Sequence, residues 1–180
     1  MRPLVLLLLT LIGCAREDRA VPRPTPARPA VVVPANAETA LLAGGCFWGM
    51  EEILRKIPGV VDTEVGYVAG AEAVRVVFDP AVLSYATLLE RWFFRMHDPT
   101  TKHRQGNDVG AQYRSAIFYL SDAQRATADE VLERVDASGT WKQPIVTEIV
   151  AATEFKIGED YHQDYLQRDP DGYTCHYLRD

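Results

Sequence analysis

A single cysteine, Cys46, stands between a glycine turn and an aromatic pair in the segment Gly44-Gly45-Cys46-Phe47-Trp48-Gly49. Residues 39–43 predict a short buried strand, and the apolar spacing of residues 50–57 predicts a helix that Pro58-Gly59 ends. Cys46 is therefore expected at a helix N-terminus, where unpaired backbone N–H groups and the helix dipole favour the nucleophilic thiolate. The alternative is a buried structural cysteine, the ordinary role of a lone cysteine in an apolar stretch.

The elements expected around this turn alternate between strands and helices. Beyond the first helix, the patterns predict strands over 60–68, 73–78, 115–120 and 145–150, and helices from Ser84 to about Met96, over 122–136 and over 159–168. From residue 39 the order is βαββαβ with additions. This order is typical of an α+β fold, a ferredoxin-like two-layer sandwich, here with a C-terminal extension. The aromatic run 92–94 has helical spacing and is predicted to lie in the core.

Composition is typical of one soluble globular domain, with 180 residues, 47% of them hydrophobic and 24% charged. Residues 38–180 carry 14 Lys and Arg against 23 Asp and Glu, a net charge of −9. An acidic domain argues against nucleic acid or an anionic membrane surface as the main partner, because phosphates would repel it. The four histidines, His97 and His103 among them, have no paired spacing, and no CxxC occurs, so we expect no metal.

The N-terminus has the pattern of a targeting segment. Arg2 precedes an apolar run, Leu4 to Ile12, that is too short to span a bilayer, since a spanning helix needs about 20 apolar residues. The box Leu11-Ile12-Gly13-Cys14 resembles a bacterial lipoprotein cleavage site. We therefore expect residues 1–13 to be a signal peptide and Cys14 to carry lipid; the alternative is an ordinary signal peptide cleaved further along.

Residues 14–37 are predicted to be a tether between this anchor and the domain at 38–180. Prolines at positions 22, 24, 26, 29 and 34 favour an extended chain. These features predict an extracytoplasmic protein on the periplasmic side of a bacterial membrane. Ala15, where an aspartate would often mean inner-membrane retention, favours the outer membrane in a host that has two.

Several motifs carry a resemblance to a known family. The segment 44–49, followed by Glu51-Glu52 and Pro58-Gly59-Val60, resembles the nucleophile segment of the type A peptide methionine sulfoxide reductases. Further matches follow in the same order at 71–72, 76–80, 97–100, 104–110, 112–115, 144–148 and 160–163. The resemblance implies a monomeric, thiol-dependent enzyme that reduces methionine-S-sulfoxide, free or in oxidised proteins. It implies no bound cofactor, the electrons coming from a thioredoxin-like protein or dithiothreitol.

The resemblance also implies roles for two residues in the chemical step. Cys46 would attack the sulfoxide sulfur, and Glu72, which matches the acidic residue of the family's site, would protonate the departing oxygen. Glu72 precedes a predicted strand among Ala and Val residues, where partial burial would raise its pKa and keep it protonated near neutral pH. Without the resemblance, Glu72 would be interpreted as a solvated turn glutamate.

Substrate binding is assigned by the resemblance to four residues. Phe47 and Trp48 would form an apolar wall for the substrate's methyl group, although such a pair lies as often in a core. Asp108 and Tyr113, in a polar loop, match the positions that orient the substrate and hydrogen-bond its oxygen. His162 is interpreted as a structural hydrogen-bonding residue rather than a base.

A second cysteine is then required, because the sulfenic acid left on Cys46 condenses readily with another thiol. With Cys14 assigned to the anchor, Cys175 near the C-terminus is the candidate, in a terminal segment expected to be mobile. The alternative is a permanent disulfide, which is common in exported proteins but would leave Cys46 without a nucleophilic role.

One departure from the family pattern lies between Gly66-Tyr67-Val68-Ala69-Gly70 and Ala71-Glu72. Typical members carry a loop of roughly twenty residues there, with a second tyrosine that contacts the sulfoxide oxygen, and Tyr67 does not match that position. Two rival functions therefore stay open: another thiol oxidoreductase of the peroxidase kind, and a catalytically impaired envelope lipoprotein.

Overall fold

A computed structural model describes residues 31–179, and over this range the chain forms a mixed sheet covered by helices. The strands are β1 Glu38–Gly44, β2 Val60–Val68, β3 Ala71–Phe78, β4 Arg104–Gln105, β5 Asp108–Val109, β6 Ser115–Tyr119, β7 Glu148–Ala151 and β8 Phe155–Ile157. The α-helices are α1 Phe47–Leu54, α2 Tyr85–Thr87, α3 Phe94–Met96, α4 Asp122–Ala137 and α5 Tyr165–Arg168. A π-helical segment, Leu88–Phe93, joins α2 to α3, and a 3-10 turn covers Ala111–Tyr113.

The main sheet has the strand order β7-β6-β1-β3-β2-β8, and β4 pairs with β5 in a separate ribbon. The β6–β7 pair is parallel, and the other pairs of the main sheet are antiparallel. β1 is central, and Ala40 to Ala43 are buried on both faces, as its unbroken apolar run predicts. The strand that leads to Cys46 is therefore among the most enclosed parts of the sheet.

The β2–β3 hairpin brings Glu72 to the end of β1. Its two-residue loop, Ala69-Gly70, has φ values of 47° and 74°. Left-handed backbone at both loop residues matches the twist of antiparallel strands in a tight hairpin. The hairpin pairs Tyr67 with Glu72 across the strands, so their side chains leave the same face of the sheet.

The core lies mainly between the sheet and the helices α1, α4 and the π-helical segment. A smaller apolar cluster covers the opposite face of the sheet. Helix α1 is further held by Glu51, which is 1% exposed and whose carboxylate accepts hydrogen bonds from Thr63 Oγ1 at 3.3 Å and the Asp164 N–H at 3.0 Å. Arg55 contacts the same carboxylate at 3.0 Å, so the buried charge is paired.

The structure confirms the predicted α+β class. Ser84 and Ser121 cap their helices as N-cap residues, each accepting a backbone N–H bond. Of the aromatic run, Phe93 and Phe94 are buried as predicted, and Trp92 is partly buried. Among the described residues, no helix has the length and apolar character needed to cross a membrane.

Three predicted elements differ from the structure by three residues or more at one end. The first helix begins at Phe47 and ends at Leu54, earlier than residues 50–57 suggested. The strand predicted over 145–150 is Glu148–Ala151, because residue 146 donates its N–H to the Pro99 carbonyl instead of a sheet neighbour. The helix predicted over 159–168 is Tyr165–Arg168, because Asp164 has left-handed backbone, φ 51°, and interrupts it.

Candidate active site

The nucleophile turn, residues 44–49, joins β1 to α1 and places Cys46 at the N-cap of the helix. Gly45 has φ +107°, and a Cβ there would collide with the side chain of Gln105. Glycine at this position therefore satisfies both the backbone conformation and the close approach of the neighbouring loop. The predicted position of Cys46, between a buried strand and a helix start, is confirmed.

The surroundings of the Cys46 thiol favour its protonated form. Its side chain is 5% exposed, and burial raises its pKa to about 12, although the Trp48 N–H favours the thiolate. The charges of Glu72 and Asp108 and the neighbouring Cys175 raise the pKa further. The direction of this pKa shift is opposite to the one expected for a thiolate at the helix start, because burial outweighs the short helix's contribution.

Glu72 directs its carboxyl group at the nucleophile turn. Its Oε2 accepts a hydrogen bond from the Phe47 N–H, the residue after Cys46, at 3.1 Å. Burial raises the Glu72 pKa to about 7, with Asp108 adding to the effect and the Phe47 N–H opposing it. A carboxyl group with this pKa is partly protonated at neutral pH, so it has a proton to donate beside the thiol.

Asp108 and Tyr113 both reach this site, from β5 and from the 3-10 turn. Burial raises the Tyr113 pKa, and the neighbouring Glu72 and Asp108 charges raise it further. Asp108 accepts hydrogen bonds from Tyr173 Oη on Oδ1 at 3.0 Å and from Cys175 Sγ on Oδ2 at 3.3 Å. The polar loop predicted to carry site residues is thus joined to the end of the chain.

Cys46 and Cys175 are both free thiols. Cys175 lies close enough to Cys46 to raise its pKa. Burial and the Asp108 carboxylate raise the pKa of Cys175 to about 11, although the Cys46 backbone N–H lowers it. The two thiols are therefore neighbours without being joined, an arrangement suited to a disulfide that forms during a reaction.

The C-terminal tail, residues 172–179, forms no helix or strand, yet it is docked onto the site. A Cβ at Gly49 would collide with Thr174 Oγ1 and lie 2.7 Å from His176 Nδ1, and a Cβ at Gly106 would lie 3.1 Å from Cys175 Cβ. These glycines leave the space that the tail occupies. The tail was expected to be mobile, whereas this structure holds it against the nucleophile turn.

The two residues that follow Cys46, Phe47 and Trp48, belong to an aromatic cluster. Trp48 is partly buried; its ring stacks on Tyr165 at 4.0 Å between centroids, and its Nε1 donates to His162 Nδ1 at 3.1 Å. Phe47 is 1% exposed and packs against Trp48, His162 and Tyr67. The ring that can face a ligand is therefore Trp48, and Phe47 supports it from behind. His162 is a hydrogen-bonding residue, as predicted, in the turn before α5.

The sequence patterns did not single out Tyr173 or His176, both on the tail. Their only signal was proximity to Cys175 in the chain, which does not show that the tail folds back onto Asp108 and Gly44.

Of the other predicted residues, Cys14 lies outside the described residues. Within residues 31–179, no group of His, Cys, Asp and Glu side chains is arranged to hold a metal ion. His97 is instead buried between the Phe93 carbonyl and Ser115 Oγ, at 2.8 and 2.7 Å.

Comparison with known proteins identifies relatives across nearly all of the described domain. The family model described as peptide methionine sulfoxide reductase matches residues 38–71 and 69–180. The peptide methionine sulfoxide reductase MsrA 1 of Mesorhizobium japonicum is 53% identical over 157 residues, covering 80% of this chain and 91% of that protein.

Solved structures give the same result. Mxr1 from Saccharomyces cerevisiae in reduced form matches with a TM-score of 0.77 and 36% identity, over 83% of this chain and 97% of that one. Mxr1 in complex with Trx2 matches with a TM-score of 0.61 and 33% identity, over 82% of this chain and 93% of that one. The similarity extends over nearly the whole of both yeast chains.

Proposed function

The chain belongs to the peptide methionine sulfoxide reductase family and reduces methionine sulfoxide with an external thiol reductant, and on this premise we propose how its residues divide the work. Cys46 and Glu72 carry out the first half of the reaction, and Cys175 begins the second. The observation that carries this assignment is the hydrogen bond that Phe47, the residue after Cys46, donates from its N–H to the Glu72 carboxyl group at 3.1 Å.

In the first half, Glu72 donates its proton to the sulfoxide oxygen while Cys46 Sγ attacks the sulfur. The thiol proton of Cys46 passes to the Glu72 carboxylate, so the acid is regenerated. The S–O bond of the substrate breaks, the oxygen becomes the hydroxyl group of a sulfenic acid on Cys46, and methionine leaves reduced by two electrons. A buried neutral thiol suits this step, because it ionises only as the oxygen gains its proton.

The substrate is held from both sides of Cys46. The Trp48 ring, backed by Phe47, offers apolar surface to the methyl group on the sulfur. Asp108 and Tyr113 orient the rest of the sulfoxide, with the Tyr113 hydroxyl donating to its oxygen. With the methyl group, the oxygen and the direction of Cys46 attack all fixed, the site distinguishes the two epimers at sulfur. We assign it to the S epimer, as the resemblance to the type A reductases implies, since each reductase type handles one epimer.

In the second half, Cys175 attacks the Cys46 sulfenic acid and a Cys46–Cys175 disulfide forms with loss of water. A thioredoxin-type protein then reduces this disulfide. The complex of the yeast relative Mxr1 with Trx2 supports such a partner for this chain. We propose that the enzyme acts as a monomer on exposed oxidised methionines in peptides and proteins.

The test uses the protein with dithiothreitol and, separately, each epimer of a methionine sulfoxide peptide. Reduction of the S epimer alone is expected, with no measurable turnover by Cys46→Ser and continued turnover by Cys175→Ser, since dithiothreitol reduces the sulfenic acid directly. Turnover by Cys46→Ser, or equal turnover of both epimers, would overturn the assignment. Cys14→Ser is the matched control, because a cysteine of the anchor takes no part in the reaction.

The targeting segment is a separate proposal. Residues 1–13 act as a lipoprotein signal peptide, Cys14 becomes the lipidated first residue, residues 14–37 form a tether and residues 38–180 form the catalytic domain. This places the enzyme on the periplasmic side of a bacterial membrane, with Ala15 favouring the outer one. Labelled fatty acid is expected in the wild-type protein and not in Cys14→Ser; equal labelling of both would refute the anchor.

The loop at the β2–β3 hairpin is shortened in this chain, in our interpretation, relative to typical family members. The two-residue turn Ala69-Gly70 supports this, as does the division of the family match into segments that meet at residues 69–71. A surface cavity of about 440 Å³ opens beside the same turn, lined in part by Tyr67 and Lys156. Tyr67 Oη donates to Glu159 Oε2 at 3.2 Å, so that hydroxyl is engaged away from Cys46.

We also assign the core of the sheet to the ferredoxin-like arrangement. Strands β6-β1-β3-β2 are neighbours in that order, and all three pairs are antiparallel. This order supports a βαββαβ core formed by β1, α1, β2, β3, the α2–α3 helical region and β6. The strands β7 and β8 then extend the two edges of that core.

A further inference from the structure

The described residues include one buried basic group in contact with the second thiol. His176 is 8% exposed, and its Nε2 lies 2.8 Å from the Gly44 carbonyl oxygen. A carbonyl oxygen only accepts hydrogen bonds, so Nε2 must carry the hydrogen. In the neutral ring, Nδ1 is then left with a free lone pair.

That lone pair faces Cys175. His176 Nδ1 lies 3.5 Å from Cys175 Sγ, which is hydrogen-bonding distance for sulfur. Burial lowers the His176 pKa to about 4, so the ring is neutral at neutral pH and Nδ1 is available as an acceptor. The imidazole is also held firmly, because it fills the space above Gly45 and Gly49 where side chains would otherwise lie.

We propose that His176 accepts the thiol proton of Cys175 while the Cys46–Cys175 disulfide forms. This inference rests on the proposed role of Cys175. The Cys175 S–H bond breaks and its proton moves to His176 Nδ1, as the sulfur attacks the Cys46 sulfenic acid. The S–O bond of Cys46 breaks, and the departing hydroxyl takes the proton from His176 to leave as water. One sulfur is oxidised and the other reduced, so no further reagent is needed.

Asp108 is the other acceptor beside this thiol, at 3.3 Å from Sγ, but its charge acts in the opposite direction. The carboxylate raises the Cys175 pKa and so retains the proton on sulfur. The same negative charge favours a positive charge on His176. Asp108 is therefore suited to stabilising the imidazolium that forms briefly at His176. Because the imidazole is a weak base in this site, the proton passes on with the departing hydroxyl instead of staying on the ring.

The test follows a single turnover of the full chain in a Cys14→Ser background, so that Cys46 and Cys175 are the thiols counted. One equivalent of a methionine-S-sulfoxide peptide is added without reductant. Methionine release, sulfenic acid trapped by dimedone, and the loss of thiols are followed over time. The variant is His176→Gln, whose amide N–H can still donate to the Gly44 carbonyl but which offers no basic nitrogen to Cys175.

His176→Gln is expected to release methionine and then accumulate trappable sulfenic acid, with disulfide formation slowed roughly 100-fold, the usual scale for losing a general base. The rate of disulfide formation should vary little from about pH 6 to about 8 in the wild type, because the base is already unprotonated. In His176→Gln it should rise about tenfold per pH unit, since only the Cys175 thiolate then reacts. Tyr177→Phe, at the next residue of the tail, is the control and should match the wild type.

Disulfide formation at the wild-type rate in His176→Gln would overturn the proposal. A slowed reaction that kept the flat wild-type pH profile would also overturn it, because His176 would then only position the tail. If His176→Gln fails to fold, His176→Asn replaces it and is expected to show the same slow, pH-dependent step. If the wild type itself forms no Cys46–Cys175 disulfide, the proposed role of Cys175 fails instead, and the two failures are thereby distinguished.

Discussion

The two cysteines of the site differ in the structure around them: one lies between a strand and a helix, and the other lies on a segment without regular secondary structure. Cys46 ends a central strand and begins a helix, and its position is determined by the sheet and by α1. Cys175 lies on a tail without regular structure, held by side-chain contacts at Tyr173, His176 and Arg179. The position of the nucleophile thus depends on the central sheet and α1, whereas the position of the second thiol depends on the docking of the tail. Substitutions in the two regions should therefore affect different halves of the reaction.

Glu72→Gln should have the largest effect, and on the first half alone. Removing a general acid lowers the rate of methionine release about 10²- to 10⁴-fold. In the wild type the acid form of Glu72 is the competent one, so this rate should fall as pH rises above about 7, the pKa of Glu72. Single-turnover methionine release against pH checks this prediction.

Glu154→Gln, an exposed glutamate between β7 and β8, is the matched control for that experiment. A wild-type rate that rose steadily with pH would contradict the prediction, since it would mean that ionisation of Cys46 controls the step instead of Glu72.

Cys175→Ser should separate the two regions most clearly. Methionine release and turnover with dithiothreitol should persist, while turnover driven by thioredoxin falls on the order of 100-fold, because no disulfide is formed for it to reduce. Steady-state rates with each reductant give the comparison. Equal losses with both reductants would show that the tail also takes part in the first half.

Gly49→Ala tests whether the tail must dock on the nucleophile turn. The added methyl group would collide with Thr174 and crowd His176. Disulfide formation should slow about tenfold, a displacement worth about 1.4 kcal/mol. Gly139→Ala is the control, because nothing lies within 4 Å of its added Cβ and any loss there comes from its left-handed backbone. Slower methionine release in Gly49→Ala, with unchanged disulfide formation, would contradict the prediction.

Arg179→Ala should have the smallest effect. The Arg179 guanidinium lies 4.3 Å from the Tyr177 ring centroid and 5.4 Å from that of Trp141, contacts worth about 0.5–1 kcal/mol at exposed sites. Disulfide formation should slow about two- to fivefold, with methionine release unaffected. Stopped-flow measurement of thiol loss has the required precision, and an unchanged rate would show that His176 and Tyr173 hold the tail without help.

Local sequence patterns predicted the elements around Cys46 well. The apolar run of β1, the alternation in β3 and the serine caps of the later helices each depend on residues close together in the chain. The π-helical segment and the break at Asp164 were not predictable in this way, because both depend on packing against distant elements. The burial that raises the Cys46 pKa was missed for the same reason: the helix start is local, but burial of the thiol is not.

The residues of the candidate site show the same contrast between what nearby residues determine and what only the folded chain determines. Cys46 was found from its glycine turn and predicted helix start and Glu72 through the family resemblance, and the structure brings them together. The docking of the tail joins Gly44 to His176, which are 132 residues apart. No spacing rule connects such positions, so neither His176 nor Tyr173 could be assigned before the chain was folded.

The docked tail also determines which electron donors can compete at the oxidised site. A thiol held against its target reacts as though present at an effective concentration far above that of any free thiol, about 10⁵–10⁸ M in well-oriented cases. A small free thiol therefore competes poorly with Cys175 for the sulfenic acid, which has become a disulfide before the free thiol reacts. On the proposed mechanism, the external reductant therefore meets a disulfide instead of a sulfenic acid, and the wild-type enzyme is regenerated by donors that can reduce that disulfide, whether a thioredoxin-type protein or dithiothreitol.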